Sequence, residues 1–297
     1  MALTRVTQNM LSQRSLGSLQ ANLNRMAKTQ EQLSTGRVIN RPSDSPTGTA
    51  SAMRVRDSLA ASQQYQRNAQ DGLGWLGTID NTLTSITDQT REARDVALQG
   101  NSGSNGPAAR QALAATIDQL RSSLLGSANA SYLGRPVFGG ITAGDTAYED
   151  GDPPTFVGNP GEVNRTVADG TVVRVDQDGD QVFGVGTDSV FRHLTDLSTA
   201  LRNGDSAAIS TGIGQLNTDL DRMITTHADV GTRYKRVDAA NQAGSDTELS
   251  LKNSLSEIEN ADLPKVIMEM KMQETAYQAS LAATARVMQP SLLDFLR

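Results

Sequence analysis

The sequence contains no cysteine, which excludes disulfides, a thiol nucleophile and cysteine-ligated zinc. Aromatic residues make up only 4% of its 297 positions. That is thin material for one globular core, and it suits helices packed side by side. Histidine occurs twice, as His193 and His227, whereas a zinc site needs three or four ligands. No window is long and apolar enough to span a membrane as a helix. The first residues, Met-Ala-Leu-Thr-Arg-Val-Thr-Gln-Asn-Met, lack the continuous apolar stretch of a cleavable signal. Neither charge sign dominates: 27 basic and 33 acidic residues give −6. No basic stripe appears, which argues against a nucleic-acid partner. By these signals alone the chain reads as cytosolic.

The catalytic inventory is equally bare. No glycine-rich phosphate loop follows a strand, and no Gly-x-Ser-x-Gly elbow occurs. Asp176, Asp178 and Asp180 alternate as in a calcium loop. The glycine of that loop belongs at the sixth position and here stands at the fourth, and position twelve is Thr187 instead of Glu. His193 and His227 read as structural, the sequons at Asn129 and Asn164 as coincidences. The expectation is no enzyme, no cofactor and no metal.

A 3-4 apolar spacing is what the sequence does have. It runs from Leu16 through Leu19, Leu23, Met26 and Gln30 to Leu33. A second run goes from Tyr65 to Ala97 by way of Leu76, Ile79, Leu83 and Ile86. Two shorter ones follow, Leu113 to Leu124 and Val190 to Leu201. The fifth extends from Ile209 to Ile258 and, as one helix, would measure roughly 80 Å. Its polar or glycine seam positions Asn241, Gly244 and Glu248 mark a weak stretch or a bend. Nine prolines all fall outside the first, second and fifth runs. Pro107 suits the first position of the third helix, and Gly204-Asp205 ends the fourth and caps the fifth.

Two places break the pattern. From Tyr132 to Thr187 the spacing vanishes and glycine crowds in. "TVVRVDQDGDQVFGV" there reads as two strands turning at Asp178-Gly179. At the C-terminal side, the seam of the fifth run predicts position 262, yet it restarts at Leu263. A slip of one residue turns the apolar face by about 100°, so Asp262 is expected to cap a new helix facing a different partner. "NRPSDSP", residues 40–46, is a matching non-helical joint near the other end, with Pro46 opening a helix behind a Ser45 or Asp44 cap.

The residues "LSTGRVIN" (33–40), the stretch Arg67–Gly103 with Asn68, Asp71 and Gly72, and the C-terminus from "IENADLPKV" to "SLLDFLR" resemble the conserved ends of the bacterial flagellin superfamily. Within it, Arg41-Pro42-Ser43-Asp44-Ser45-Pro46 is similar to the Arg-Pro-Ser-Asp-Asp-Pro joint of hook–filament junction members, with Ser45 as the departure. "YLGRPVFGG" (132–140) and "TAYQASLAATARVMQP" also resemble those members.

The resemblance implies an extracellular structural subunit of the flagellum, a junction adaptor between hook-associated protein 1 and the flagellin filament. Flagellin itself, a bulk filament subunit, is the alternative; an enzyme or adhesin on the same scaffold is a third reading, for which an insert of about 56 residues is small. The implied partners are further copies in a ring, hook-associated protein 1, flagellin, and an export chaperone and gate, with no nucleic acid and no membrane span. The expected fold is mainly α. It is an elongated helical bundle or coiled coil formed by the N- and C-terminal halves, with a small inserted β domain. Segments 1–40 and 263–297 would be terminal assembly helices, disordered in the monomer. Segments 41–131 and 188–262 would be a helical rod, and 132–187 the β insert. The expected subunit interface is Leu16, Leu19, Leu23, Met26 and Leu33 with Leu263, Val266, Met270, Tyr277 and Val287, then Leu292, Leu293, Phe295 and Leu296. The joint is Arg41, Pro42, Ser43, Asp44, Ser45 and Pro46.

Overall fold

The computed structural model describes residues 2–102 and 105–288, and the fold is mainly α-helical. Its helices are α1 (Ala2–Thr35), α2 (Pro46–Gly100), α3 (Pro107–Ala128), α4 (Gly179–Phe183), α5 (Val190–Asn203), α6 (Ser206–Glu259) and α7 (Leu263–Met288). The chain divides into two compact units: Met1–Ala60 with Glu248–Arg297, and Ala61–Thr247.

In the unit Ala61–Thr247 the heptad runs become the core. Leu76, Ile79, Leu83 and Ile86 of α2 are fully buried, as are Ile117 of α3, Leu194 and Leu201 of α5, and Leu216, Met223, Val230 and Val237 of α6. The helix ends follow the local chemistry. Pro107 opens α3; Ser189 Oγ accepts the Phe191 amide at 3.3 Å to cap α5. Gly204 closes α5 in the left-handed region at φ 69°, and Asp205 accepts the Ala207 and Ala208 amides at 3.0 Å to cap α6. The polar stretch of the long fifth run neither breaks nor ends α6. Gly244 sits where a Cβ would lie 3.1 Å from Gln66, and its carbonyl accepts the Ser62 hydroxyl at 3.4 Å. Small and polar groups meet there, so the seam continues without apolar residues.

The insert is three short antiparallel pairs: β1 (Ser131–Tyr132) with β2 (Arg135–Pro136), β3 (Tyr148–Glu149) with β4 (Thr155–Phe156), and β5 (Asn164–Ala168) with β6 (Thr171–Arg174). The hairpin expected at Asp178-Gly179 is not there. The turn lies at Asp169-Gly170, with Gly170 at φ 65°, and 179–183 forms α4. Residues 174–178 are held by other contacts: Arg174 binds Asp176 at 2.9 Å and Asp178 at 2.7 Å, and Arg233 of α6 donates to the Asp176 carbonyl at 2.8 Å. The insert packs onto the helices. Phe138, Tyr148, Phe183 and Phe191 lie within 5.3–5.5 Å of one another's rings along the cluster. Asn68 donates to the Thr166 carbonyl at 2.9 Å, Asp71 receives Arg165 at 2.7 Å, and Gly72 leaves room for Val175. The two histidines are both paired: His193 lies 2.7 Å from Asp219 and His227 lies 2.8 Å from Asp80. Asn129 spends its amide on residues 147 and 148.

Candidate assembly interface

The unit Met1–Ala60 with Glu248–Arg297 carries the residues expected to meet other subunits. α1 stops because Gly36 turns into the left-handed region at φ 68°. Residues 36–38 then run antiparallel to 259–261: the Val38 amide donates to the Glu259 carbonyl at 2.7 Å, and the Ala261 amide to the Gly36 carbonyl at 2.8 Å. Ser45 is the cap of α2, its Oγ accepting the Gly48 amide at 3.1 Å behind Pro46. Asp44 has a different task. It accepts the amides of Asn40 at 3.2 Å and Arg41 at 2.9 Å and pairs with Lys28 of α1 at 3.1 Å. Arg41 also reaches Glu31 of α1 at 3.3 Å. Across the unit, Asp262 accepts the Lys265 amide at 3.2 Å and caps α7 as the phase slip requires.

The Lys28 bond, followed by the Arg41 amide, holds the Asp44 carboxyl below its ordinary value of 3.8. A group depressed in the folded state stabilises above its unfolded pKa and loses that contribution as pH falls through the folded one. Protection of the Arg41 amide from exchange, corrected for intrinsic rate, is therefore expected to hold from neutral pH to about 3.8 and to fall below it. In Asp44→Ala it should be low throughout.

α1 and α7 pack antiparallel. Asn22 donates to Ser280 at 3.2 Å and Thr29 to Gln273 at 3.0 Å. The half-buried or buried positions in register are Ser15, Leu19, Asn22, Met26, Thr29 and Leu33 on α1, and Val266, Met270, Gln273, Tyr277, Ser280 and Thr284 on α7, with Glu31, Gln32 and Glu274 half-buried beside them. Both sets keep heptad spacing, with apolar and polar steps interleaved. This seam is drier at one end: Thr29 is 4% and Val266 6% exposed, next to the joint.

Each helix also has apolar groups that its partner does not cover. Leu16 and Leu23 flank the seam of α1 at 54% and 41% exposure. On α7, Met268 and Met272 project at 61% and 64%. Together with Lys271, Thr275, Ala276 and Ala279 they line a shallow groove of about 500 Å³. Their spacing of three, one, three, one and three residues puts them on the face opposite Val266 and Met270.

Of the expected interface residues, Leu19, Met26, Leu33, Val266, Met270 and Tyr277 thus lie in the α1–α7 seam, while Leu16, Leu23 and Leu263 face outward. The side chain of Val287, and Leu292, Leu293, Phe295 and Leu296 altogether, lie outside the described residues. The expected α1 phase was half right: Ser15, Asn22 and Thr29 replace Leu16, Leu23 and Gln30 in the seam. Met268 and Met272 were not singled out from the sequence, although their spacing of four on a helix was a visible signal.

Residues 6–143 match the bacterial flagellin N-terminal helical region and residues 211–296 the bacterial flagellin C-terminal helical region. Together these take in most of the chain, which belongs to the bacterial flagellin family. More particularly, it is 24% identical to flagellar hook-associated protein 3 of Escherichia coli, over 94% of this chain and 95% of that one. It is 23% identical to flagellin of Bacillus subtilis, over 99% of this chain and 100% of that one. The flagellar junction protein FlgL of Legionella pneumophila shares the fold with a TM-score of 0.60, at 13% identity over 71% of this chain and 99% of that structure.

Proposed function

We infer that the chain is an extracellular structural subunit of the bacterial flagellum, an adaptor between hook-associated protein 1 and the flagellin filament. The observation that carries this is the terminal helix pair, which has one seam inside the chain and further apolar faces open to other copies. Most of a helix's stability in a protein comes from packing its amphipathic face against a partner. Covering the Leu16–Leu23 stripe and the Met268–Ala279 groove with neighbouring subunits stabilises them by roughly 25 cal/mol per Å² of apolar surface. Segments 1–40 and 263–297 accordingly gain their full order on assembly. Different patches meeting head to tail generate a ring or helical tube of copies. The subunit reaches the outside through the flagellar export gate, escorted by a chaperone.

The Pro42–Pro46 joint favours the junction over the bulk filament, since two fixed φ angles suit a subunit that holds one conformation. Flagellin remains the second reading, supported by the end-to-end match to the Bacillus subtilis protein. Deleting the gene separates them. A junction adaptor's loss is expected to abolish swimming and release monomeric flagellin into the medium, with hooks still visible by electron microscopy. Filaments composed mainly of this chain in wild-type cells would establish the second reading instead.

A further inference from the structure

The two connections to the terminal helix pair are bonded to each other, and one buried carboxylate sits at their crossing. Glu259 is the last residue of α6 and is 5% exposed. A negative group there faces the carbonyl end of the helix, where the helix dipole opposes it. Arg56, in the third turn of α2, holds it at 2.6 Å, and Arg37 approaches at 3.7 Å. Both guanidiniums stay half in water and so keep part of their hydration while covering the one buried carboxylate. The apolar faces that serve assembly make no use of these three charges.

The α1–α7 seam gives them a purpose. Beyond Thr29 and Val266 its members are at best half-buried, and six of the twelve are polar. Such a seam takes its register from polar pairs at a cost in stability, so it holds weakly unless something fixes its starting point. The drier end is the end beside Gly36–Val38 and Glu259–Ala261.

We propose that Glu259, with Arg56 and Arg37, is the positioning node that starts the pairing of α1 with α7. The node clamps 36–38 against 259–261, and from that point the helices close outward in one register. This deepens the assembly reading, and rests on it only for what the closed pair is used for.

The chain has no cysteine, so a double substitution Asn22→Cys with Ser280→Cys introduces the only two thiols. Their parent side chains are hydrogen-bonded at 3.2 Å, 258 residues apart in sequence. The rate of disulfide formation in oxidised glutathione then reports how much of the full-length monomer is closed. Adding Arg56→Ala or Glu259→Gln is expected to slow it at least about tenfold: the first leaves the buried Glu259 carboxylate without its nearer partner, and the second removes the charge that draws Arg56 and Arg37 to the crossing. Arg56→Lys should keep most of the rate. The melting of the unit Ala61–Thr247, which contains none of these residues, should stay in place and certify that the variants fold. Unchanged cross-linking in both Arg56→Ala and Glu259→Gln would overturn the proposal. Loss of swimming in cells carrying either variant, with cross-linking unchanged, would also overturn it, since the assembly reading would then stand without the node.

Discussion

Cells carrying Met272→Asp are expected to stop swimming, while the purified monomer melts as before. In the free chain Met272 is 64% exposed on the face of α7 turned away from α1. A carboxylate there remains in water, and the substitution costs only the difference in helix propensity, about 0.5 kcal/mol. In the proposed assembly another copy covers the Met268–Ala279 groove, and the same carboxylate would then be taken out of water, a penalty of several kcal/mol per contact. The effect would repeat at every subunit of the proposed ring. Met272→Leu keeps the apolar surface and should swim. Two measurements decide the matter: spreading in soft agar, and thermal melting by circular dichroism. Normal swimming by the Asp variant would show that this face stays wet in the flagellum. A large drop in melting temperature would show that it is already covered in the monomer.

The same face shows what a sequence can and cannot reveal. The long heptads of α2 and α6 were legible because their seams are apolar at nearly every step, and burial follows the pattern. The caps at Asp205 and Asp262 were legible, and that of α2 as one of Asp44 and Ser45, because short polar side chains before a periodic run have one main use. The phase of α1 was half hidden. Leucines at 16 and 23 outweigh Asn22 and Thr29 on any hydrophobic count, yet α7 offers Ser280 and Gln273 as hydrogen-bond partners to the polar residues. Only the partner helix decides. The hairpin failed for a related reason. Asp169-Gly170 and Asp178-Gly179 carry the same turn signal, and the choice is made by Arg174 and Arg233, which fix Asp176 and Asp178 elsewhere. The Glu259 node could not be read at all, because Arg37 and Arg56 meet it only through the fold.

Phe183→Ala is expected to lower the melting temperature of the entire unit Ala61–Thr247, not of the insert alone. Phe183 is fully buried. Its ring stacks on Phe191 of α5 at 5.5 Å and meets Phe138 and Tyr148 edge-on at 5.3 and 5.4 Å. Phe138, Tyr148 and Phe183 come from the insert, Phe191 from a helix of the bundle. Truncating such a ring costs about 3–5 kcal/mol, through lost burial and the cavity left behind. A domain of this size loses about 2–4 °C per kcal/mol, so the shift should be on the order of 10 °C. The helical signal at 222 nm is the informative readout, because the insert contributes little helix beyond α4. If the insert folded on its own, that signal would keep its midpoint and only near-ultraviolet aromatic signals would change. The continuity of the aromatic cluster with Leu194 and the other α5 core residues predicts one transition, displaced as a whole. An insert sharing its core with the helices can vary at exposed Val172 or Val185, but not at Phe138, Tyr148 or Phe183 without loosening the bundle beneath.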